Sequence, residues 1–561
     1  MDEFQQIILE DTDVLIATPE KIDLLFRLKP SYFEDVSFVV VDEGQIVGDI
    51  SARASLHEFL IIRLKMKLDS VKFLFISAVM PSQNADEYSL WLSNKDTNVI
   101  RSLLHRDSPE DEQWEPTRKL IGRFVWDGNN GRIDFKDVET EEEGTGRKTP
   151  AFVSSIIKVK QYGNTYPKRD NKAQISASLG FELSNDGKCL IFCSQPRYTK
   201  KVGEALLNII QILEQNDEIT PDYLKDDVNK ESYFFATQWY GPDSYISKCL
   251  RRGIGIHYGD MPEPVRRSIE SDYNSEVLRV LISTSTVGQG LNLPIKHLVV
   301  HSTIIGHNSG PIIVSVRDFW NIVGRAGRAG QETEGQVTFI IRSNQDILTY
   351  EKLTERSNIE PAYSMLYNVL DALIDKRIDE TQYEEFMKIL SEPYLLSLLV
   401  EETVGTEDED LIEKIIDNSL FKIQVEKYEK DLQPVRNSFR SIITNINDQV
   451  PERNLVKVYG ETGFNLRSNQ AIDSYIETNR EQLTTIVGED NYVELIEIVL
   501  KLFDLGEIEE VKSSKLQGIQ LGPSECCGVI KSWVEGKDIQ QLLRWSPKFG
   551  QVVKSGFYSL K

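Results

Sequence analysis

Two adjacent carboxylates, Asp42 and Glu43, end the apolar run Ser37–Asp42 in the segment VVVDEGQ. Ligands of open α/β sheets bind beyond the carboxyl ends of the strands, where a strand over this run would place both acids. Such a pair suits a Mg²⁺ bound through water to Asp42, while Glu43 positions and deprotonates an attacking water. Taken alone, the pair is equally compatible with a solvated Asp-Glu dipeptide at a strand end.

Two arginines three residues apart, Arg325 and Arg328, lie among glycines in the segment FWNIVGRAGRAG. The glycines let the backbone approach a phosphate closely. Guanidinium groups suit the charge that spreads over a transferring γ-phosphoryl group. We therefore predict that Arg325 and Arg328 stabilise that charge during phosphoryl transfer.

A third segment, LISTSTVGQGLNLP, has small hydroxyl side chains directly after an apolar run. Hydroxyls followed by glycine permit close approach to a sugar-phosphate backbone, which carries no sequence information. We predict that Thr284 and Thr286 contact a nucleic-acid strand.

A basic stripe lies between residues 147 and 172, a segment that contains seven basic residues and a single acid, Asp170. Aromatic residues are interleaved, so the stripe combines phosphate attraction with base stacking. A solvated basic loop that offsets acidic neighbours explains the same composition. The members that we predict to bind nucleic acid are Lys158, Lys160 and Arg169.

The elements that must position these residues form two α/β alternations and a helical tail. Asp13–Thr18, Ser37–Asp42 and Lys72–Ser77 are apolar on both faces, which predicts strands of a buried parallel sheet. Five further runs between residues 186 and 345 predict a second sheet, and helical periodicity dominates afterwards. The segment DGNNGRIDFKD between the two alternations predicts a hairpin.

Bulk composition limits the possible classes. The chain has 561 residues, a formal charge of −24 and five cysteines without CxxC spacing, so we expect idle thiols rather than a zinc site. An acidic balance disfavours a general nucleic-acid binder, although a motor that threads one strand needs only a local basic channel. No apolar run is long enough to span a bilayer, and the acidic start is unlike a signal peptide. We expect a cytoplasmic protein of bacterial or archaeal origin, or a nuclear one in a eukaryote.

The order of these segments resembles the DExH side of the superfamily 2 helicases, particularly the branch with a winged helix and a helical ratchet after the motor. Thr18–Lys21 (TPEK) is similar to motif Ib, Asp42–Gln45 to Walker B, and Ser77–Val79 to the coupling Ser-Ala-Thr. TSTVGQGLNLP is similar to motif V and NIVGRAGRAG to motif VI. The resemblance implies an α/β fold with two RecA-like domains, between which ATP binds with Mg²⁺, and 3′-to-5′ movement on one strand.

Domains and site residues follow from that resemblance as expectations. The domains are a partial RecA-like domain (1–100), an insertion (101–180), a second RecA-like domain (181–345), a helical or winged-helix connector (346–455) and a helical bundle (456–561). Catalytic roles are expected for Asp42, Glu43, Gln45, Arg325 and Arg328. Nucleotide contacts are expected for Gly290, Asn321 and Gly324, strand contacts for Thr18, Pro19 and Lys21, and coupling for Ser77 and Ala78.

The sequence departs from the family pattern in several places. Gln45 replaces the usual His, Val79 the usual Thr and Asn321 the usual Gln. No G-x-x-x-x-G-K-[ST] phosphate loop occurs, and GTGRKT (residues 144–149) is interrupted by Arg147. We expect the phosphate loop to lie upstream of Met1, so that residues 1–561 alone do not hydrolyse ATP at a helicase-like rate.

Three functional hypotheses remain open from the sequence. The first is an ATP-dependent helicase acting on single strands or tailed duplexes of DNA or RNA, without a membrane partner. The second is a catalytically idle helicase-like scaffold that binds nucleic acid or a protein. The third is the helicase subunit of a bacterial anti-phage defence complex, such as the Hachiman type, working beside a nuclease.

Overall fold

The computed structural model describes most of the chain between residues 12 and 488. The described residues are 12–48, 52–68, 71–77, 79–93, 99, 118–127, 130–136, 148–154, 157–158, 165–284, 293, 295–307, 310–327, 334–401, 408–488, 494–495, 498–499, 501–502, 508 and 532. Tertiary contacts divide them into two compact units: residues 12–99 and 361–508 belong to unit 1, and residues 118–360 belong to unit 2.

Unit 1 opens with a small parallel sheet flanked by helices. Its elements are α1 (Pro19–Leu28), β1 (Phe38–Val41), α2 (Ala52–Lys67), β2 (Lys72–Phe75) and α3 (Ser82–Ser93). Strands β1 and β2 pair in parallel, with Val39 opposite Phe73, and the side chains of these two residues pack on the helices. The alternate residues Phe38 and Val40 are 55% and 52% exposed, so the expectation of burial on both faces is wrong for the described residues.

The prediction of a strand at Asp13–Thr18 is also wrong. The described residues 12–18 have no regular secondary structure, and Ile16 is 92% exposed. A strand requires a neighbour to complete its hydrogen-bond ladder. An apolar run alone does not reveal whether that neighbour is present.

Unit 2 alternates strands and helices. Its first elements are β3 (Arg118–Asp127), β4 (Asn130–Lys136), β5 (Lys148–Ser154), β6 (Ile157–Lys158), β7 (Thr165–Tyr166), α4 (Lys172–Leu183), β8 (Cys189–Phe192), α5 (Pro196–Gln215), α6 (Glu231–Tyr240) and α7 (Tyr245–Arg251). The remaining elements are β9 (Ile254–His257), α8 (Glu263–Asn274), β10 (Val280–Ser283), β11 (His297–Val300), β12 (Ile304–His307), β13 (Gly310–Ile313), α9 (Val316–Val323), β14 (Glu334–Ile340) and α10 (Asn344–Thr354). Among the described residues, eight of these strands form one sheet with the order β5-β4-β3-β14-β11-β8-β10-β9. All strands from β3 to β9 in this order pair in parallel, whereas β4 and β5 are antiparallel.

The five strands that the sequence predicts for the second alternation are all present, as β8, β9, β10, β11 and β14. The predicted hairpin is β3–β4, which closes with Asp127 opposite Asn130. Strand β3 pairs in parallel with β14 along its length, so the segment interpreted as an insertion shares the sheet of the second alternation. Strand pairing across more than 200 residues leaves no local pattern in the sequence.

The helical region that follows belongs to unit 1. Its helices are α11 (Met365–Ile374), α12 (Glu380–Glu401), α13 (Asp408–Asp417), α14 (Leu420–Lys427), α15 (Gln433–Gln449), α16 (Arg453–Thr462), α17 (Leu466–Thr478) and α18 (Arg480–Gly488). One hydrophobic core joins all of these helices except α18 to Phe59 and Ile62 of α2. The predicted α/β fold with a helical C-terminal region is therefore confirmed, and the helical region packs on the elements of the first alternation.

Burial accounts for the cysteines that are described. Cys189, Cys193 and Cys249 are buried free thiols, and burial raises the pKa of each. None of the described helices has the length and apolar composition that a membrane crossing requires.

Glu58 is a buried acid in the core of unit 1. The Ser364 hydroxyl donates to its Oε2 at 2.7 Å, and the Phe421 amide donates to its Oε1 at 3.2 Å. Burial raises the pKa of Glu58 to about 7, above its ordinary value of 4.5. The folded state therefore holds a proton that the unfolded state releases between these two pH values.

We predict that unit 1 loses stability as the pH rises from 5 to 8, and that Glu58→Gln reduces this loss. The pKa is raised on folding, so the stability that the protonated acid provides falls through this window. The wild-type free energy of unfolding should fall relative to the variant by on the order of 1 to 3 kcal/mol. Urea unfolding at both pH values measures the difference, with the exposed Glu385→Gln on α12 as control. A difference that stays constant with pH would contradict the assignment.

Candidate functional site

A chain of hydrogen bonds links the ends of β1 and β2. The Ser77 hydroxyl donates to Gln45 Oε1 at 2.8 Å, and Gln45 Nε2 donates to Glu43 Oε2 at 2.5 Å. Gln45 is 3% exposed, so its amide is enclosed while Glu43 remains partly accessible. The structure thus brings three sequence-predicted residues together, and the state of the carboxylate at Glu43 is connected to Ser77 through one amide.

The backbone at Glu43 adopts a conformation that few residues other than glycine use. Its φ is 53°, in the left-handed region. The next residue, Gly44, lies so close to Phe75 that an added Cβ would overlap the aromatic ring. Its amide donates to the Ile76 carbonyl at 2.8 Å, which extends the β1–β2 ladder past the strand ends. Strain of this kind is frequent at functional sites, where the surrounding structure holds it in place.

Asp42 offers a carboxylate to solvent beside this chain. It is exposed, and its Oδ1 accepts the Glu43 amide at 2.9 Å. Mg²⁺ keeps several waters and binds proteins through one or two carboxylates together with substrate phosphates. A single accessible carboxylate fits that requirement. The described residues contain no cluster of three or more metal-binding side chains that would compete as a resident metal site.

Thr18 and Pro19 begin helix α1. The Thr18 side chain caps the helix by accepting the Lys21 amide at 3.4 Å, and Pro19 occupies the first turn. Thr18 and Lys21 are exposed. Helix capping accounts for the Thr-Pro pair locally, and the exposure leaves its predicted contact with a nucleic-acid strand sterically open.

Helix α9 ends just before Arg325, the predicted arginine that the structure describes in unit 2. Ser315 caps it by accepting the Asp318 amide at 3.0 Å, and the Glu360 carboxylate accepts the amides of Val316 and Arg317 at 2.9 and 3.0 Å. The turn Gly324–Gly327, which we call the arginine turn, follows directly. It contains Arg325, which is 9% exposed. Asn321 is half-buried on α9, and Gly324 is exposed where the turn begins.

The remaining predicted residues have different placements. Thr284 is buried after β10, and its amide donates to the His257 carbonyl at 3.2 Å. Arg169 is exposed in the turn before α4. Lys158 belongs to β6 by its backbone. Ala78, Lys160, Thr286, Gly290 and Arg328 lie outside the described residues.

Arg169 lines a cleft of about 530 Å³ at the carboxyl edge of the unit 2 sheet. The cleft lies where β3 and β14 end, and Trp126, Arg342 and Ser343 also line it. The indole nitrogen of Trp126 is buried and has no hydrogen-bond partner among the described residues. Two guanidinium groups and an indole are suited to one phosphate and one base of a single strand.

Sequence analysis missed several residues that the fold places at these sites. Glu360 caps the helix that precedes the arginine turn, and Trp126 and Arg342 line the cleft beside Arg169. Lys119 on β3 donates to carbonyls of the arginine turn. These residues are distant in sequence from the motifs that they contact, so motif spacing carries no signal for them.

Two family models match this chain. The DEAD/DEAH box helicase model matches residues 1–88, which include the hydrogen-bonded residues Glu43, Gln45 and Ser77. The helicase conserved C-terminal domain model matches residues 218–330, which include Thr284 and the arginine turn.

Curated relatives match over longer stretches. The Hachiman protein HamB of Bacillus cereus is 26% identical over 95% of this chain and 49% of its own length. The ATP-dependent DNA helicase Hel308 of Methanococcus vannielii is 23% identical over 64% of the chain and 42% of its own length. The ATP-dependent DNA helicase MER3 of Saccharomyces cerevisiae is 24% identical over 66% of the chain and 26% of its own length. The chain thus spans half or less of the length of these relatives.

Proposed function

We propose that this chain, which belongs to the DExH/DEAD helicases of superfamily 2, is the motor part of an ATP-dependent DNA helicase. The observation that carries the proposal is the hydrogen-bonded chain from Glu43 through Gln45 to Ser77. A carboxylate that activates water and a serine on the neighbouring strand end are linked by one buried amide. Such a link lets a change at the reacting phosphate alter the position of β2.

Each side chain has a distinct proposed role. Asp42 holds Mg²⁺ through water, and the metal neutralises charge on the phosphates when it is bound. Glu43 orients the attacking water and accepts its proton. The 2.5 Å hydrogen bond from Gln45 holds the Glu43 carboxylate in position for this role. Arg325 and Arg328 stabilise charge on the transferring phosphoryl group. Asn321, Gly324 and Gly290 contact the nucleotide. Ser77 and Ala78 couple the state of the bound nucleotide, before or after hydrolysis, to the strand-binding residues.

The proposed substrate is a single strand of DNA or a duplex with a single-stranded tail. We propose that the protein moves along this strand from 3′ to 5′. Two relatives are DNA helicases by name, which favours DNA over RNA. Thr18, Pro19, Lys21, Thr284 and Thr286 are proposed to contact the backbone. The cleft beside Arg169 is proposed to extend that contact, since it combines an indole with two guanidinium groups. Lys158 and Lys160 belong to the same proposed surface.

A second candidate is the helicase subunit of a bacterial anti-phage defence complex, working beside a nuclease. The match to HamB favours it, because that match covers 95% of the chain, whereas the Hel308 match covers 64%. Plaque counts on cells that express the protein test this candidate. Protection that Glu43→Gln abolishes would support it, and equal plaque numbers with and without the wild-type protein would exclude it in that host.

We predict that Glu43→Gln in the full-length protein abolishes DNA-stimulated ATP hydrolysis while ATP and strand binding persist. The glutamine is isosteric and can still accept from Gln45, but it cannot take a proton from water. Turnover should fall by about 100-fold or more, the scale for losing a positioned general base. Phosphate release measures it, with the exposed Asp35→Asn as control. Turnover equal to that of the control would refute the role of Glu43.

We further predict that Arg169→Ala combined with Arg342→Ala weakens single-stranded DNA binding and its salt dependence. Each lost phosphate contact removes about 0.7 from the salt slope, so the slope should flatten by up to about 1.4. Fluorescence anisotropy over a salt series measures both quantities. The control combines Lys352→Ala with Arg267→Ala, which removes the same charge elsewhere on unit 2. If both pairs had the same effect, the cleft would not be a binding site.

A further inference from the structure

The backbone amides and the backbone carbonyls of the arginine turn form hydrogen bonds with different parts of unit 2. The Gly324 amide donates to Trp320, Ala326 to Val323 and Gly327 to Ile295, at 2.7, 3.0 and 2.7 Å. All three carbonyl acceptors of these amides lie on α9 or just before β11. Three carbonyls of the turn, in contrast, accept hydrogen bonds from one side chain on another strand of the sheet.

That side chain is Lys119. Its ammonium donates to the carbonyls of Gly324 at 3.3 Å and Gly327 at 3.1 Å, and also to the carbonyl of Ala326. An ammonium has three N–H donors, so all three are used on one turn of backbone. The Gly324 carbonyl, at the C-cap of α9, lacks a partner within the helix, and Lys119 supplies a donor to it.

Strand pairing places Lys119 at this position. In the parallel register of β3 and β14, Lys119 is opposite Gly335. A Cβ at Gly335 would overlap the backbone of Ala326, so the turn rests directly on the β3–β14 pair. The glycine allows the close approach, and the lysine beside it binds the turn.

The charge at this place is unusual for a structural contact. Lys119 has no carboxylate partner within the described part of the chain, and burial together with the charge of Arg356 lowers its pKa to about 8. Burying a cation without an anion is costly, and a neutral donor would satisfy carbonyls at a lower cost. Three backbone carbonyls therefore take the place of a carboxylate around the charge of Lys119.

We propose that Lys119 is a positioning residue that fixes the arginine turn, and thereby the geometry in which Arg325 and Arg328 meet the transferring phosphoryl group. This inference rests on the proposed function. Lys119 acts through the turn, and its ammonium is engaged by the three carbonyls. Removing it takes the donor away from these three acceptors and lets the turn shift.

The test compares Lys119→Met, which keeps the apolar stem, with Lys119→Arg, which keeps charge and donors. Lys188→Met is the matched control, because Lys188 also donates to a backbone carbonyl, that of Asn274 at 2.9 Å, elsewhere on unit 2. In the full-length protein, Lys119→Met should lower kcat for DNA-stimulated ATP hydrolysis by about 10- to 100-fold. The KM for DNA should stay within about twofold, since none of the described residues that are proposed to bind the strand contacts Lys119. Lys119→Arg should restore most of kcat.

Hydrogen exchange provides a readout that does not depend on activity. The Gly324, Ala326 and Gly327 amides should exchange faster in Lys119→Met, while those of β8 and β10 keep the wild-type rate. Should Lys119→Met fail to fold, Lys119→Gln, which retains two donors, should give the same changes to a smaller degree. Unchanged exchange in the turn, or faster exchange throughout the sheet, would overturn the proposal. A wild-type protein without ATP turnover would refute the proposed function, and the exchange result would still decide whether Lys119 holds the turn.

Discussion

The parallel pairing of β1 with β2 is the constraint on which the hydrogen bonds between Glu43, Gln45 and Ser77 depend. It brings the strand ends side by side, so that Gln45 can donate to Glu43 and accept from Ser77. The ladder continues past the strands through the Gly44 amide, and this continuation requires a glycine because Phe75 occupies the space of a side chain. The positive φ at Glu43 follows from the same turn.

Buried polar contacts tie the helical region to these elements. Glu87 of α3 accepts from Gln424 at 2.9 Å, from Lys427 at 2.5 Å and from Tyr428 at 3.2 Å, all on or beside α14. Glu58 of α2 forms another buried connection. The helical region shares a hydrophobic core with α2. A displacement of the β1 and β2 strand ends can therefore be transmitted to that region. This arrangement provides a physical route by which movement in the first alternation reaches the C-terminal helices.

Much of this organisation is predictable because its determinants are local. The acid pair at Asp42 and Glu43 follows an apolar run that forms β1, and the five strands of the second alternation are visible as β-branched runs. The location of Lys119 beside the arginine turn is not predictable, because it arises from pairing between β3 and β14. The same non-local pairing places the segment interpreted as an insertion within the unit 2 sheet. Ile16 illustrates the opposite error, since its apolar run forms no strand among the described residues.

The connection through Gln45 is tested most directly by the number of DNA strands displaced per ATP hydrolysed. Gln45→Leu keeps the volume but removes both hydrogen bonds, whereas Gln45→His introduces the residue that the family usually has. We expect the leucine variant to lower this ratio by about tenfold, the effect of losing roughly one hydrogen bond to a charged group. The histidine variant should stay close to wild type. An unchanged ratio in the leucine variant would show that Gln45 does not connect Glu43 to Ser77 functionally.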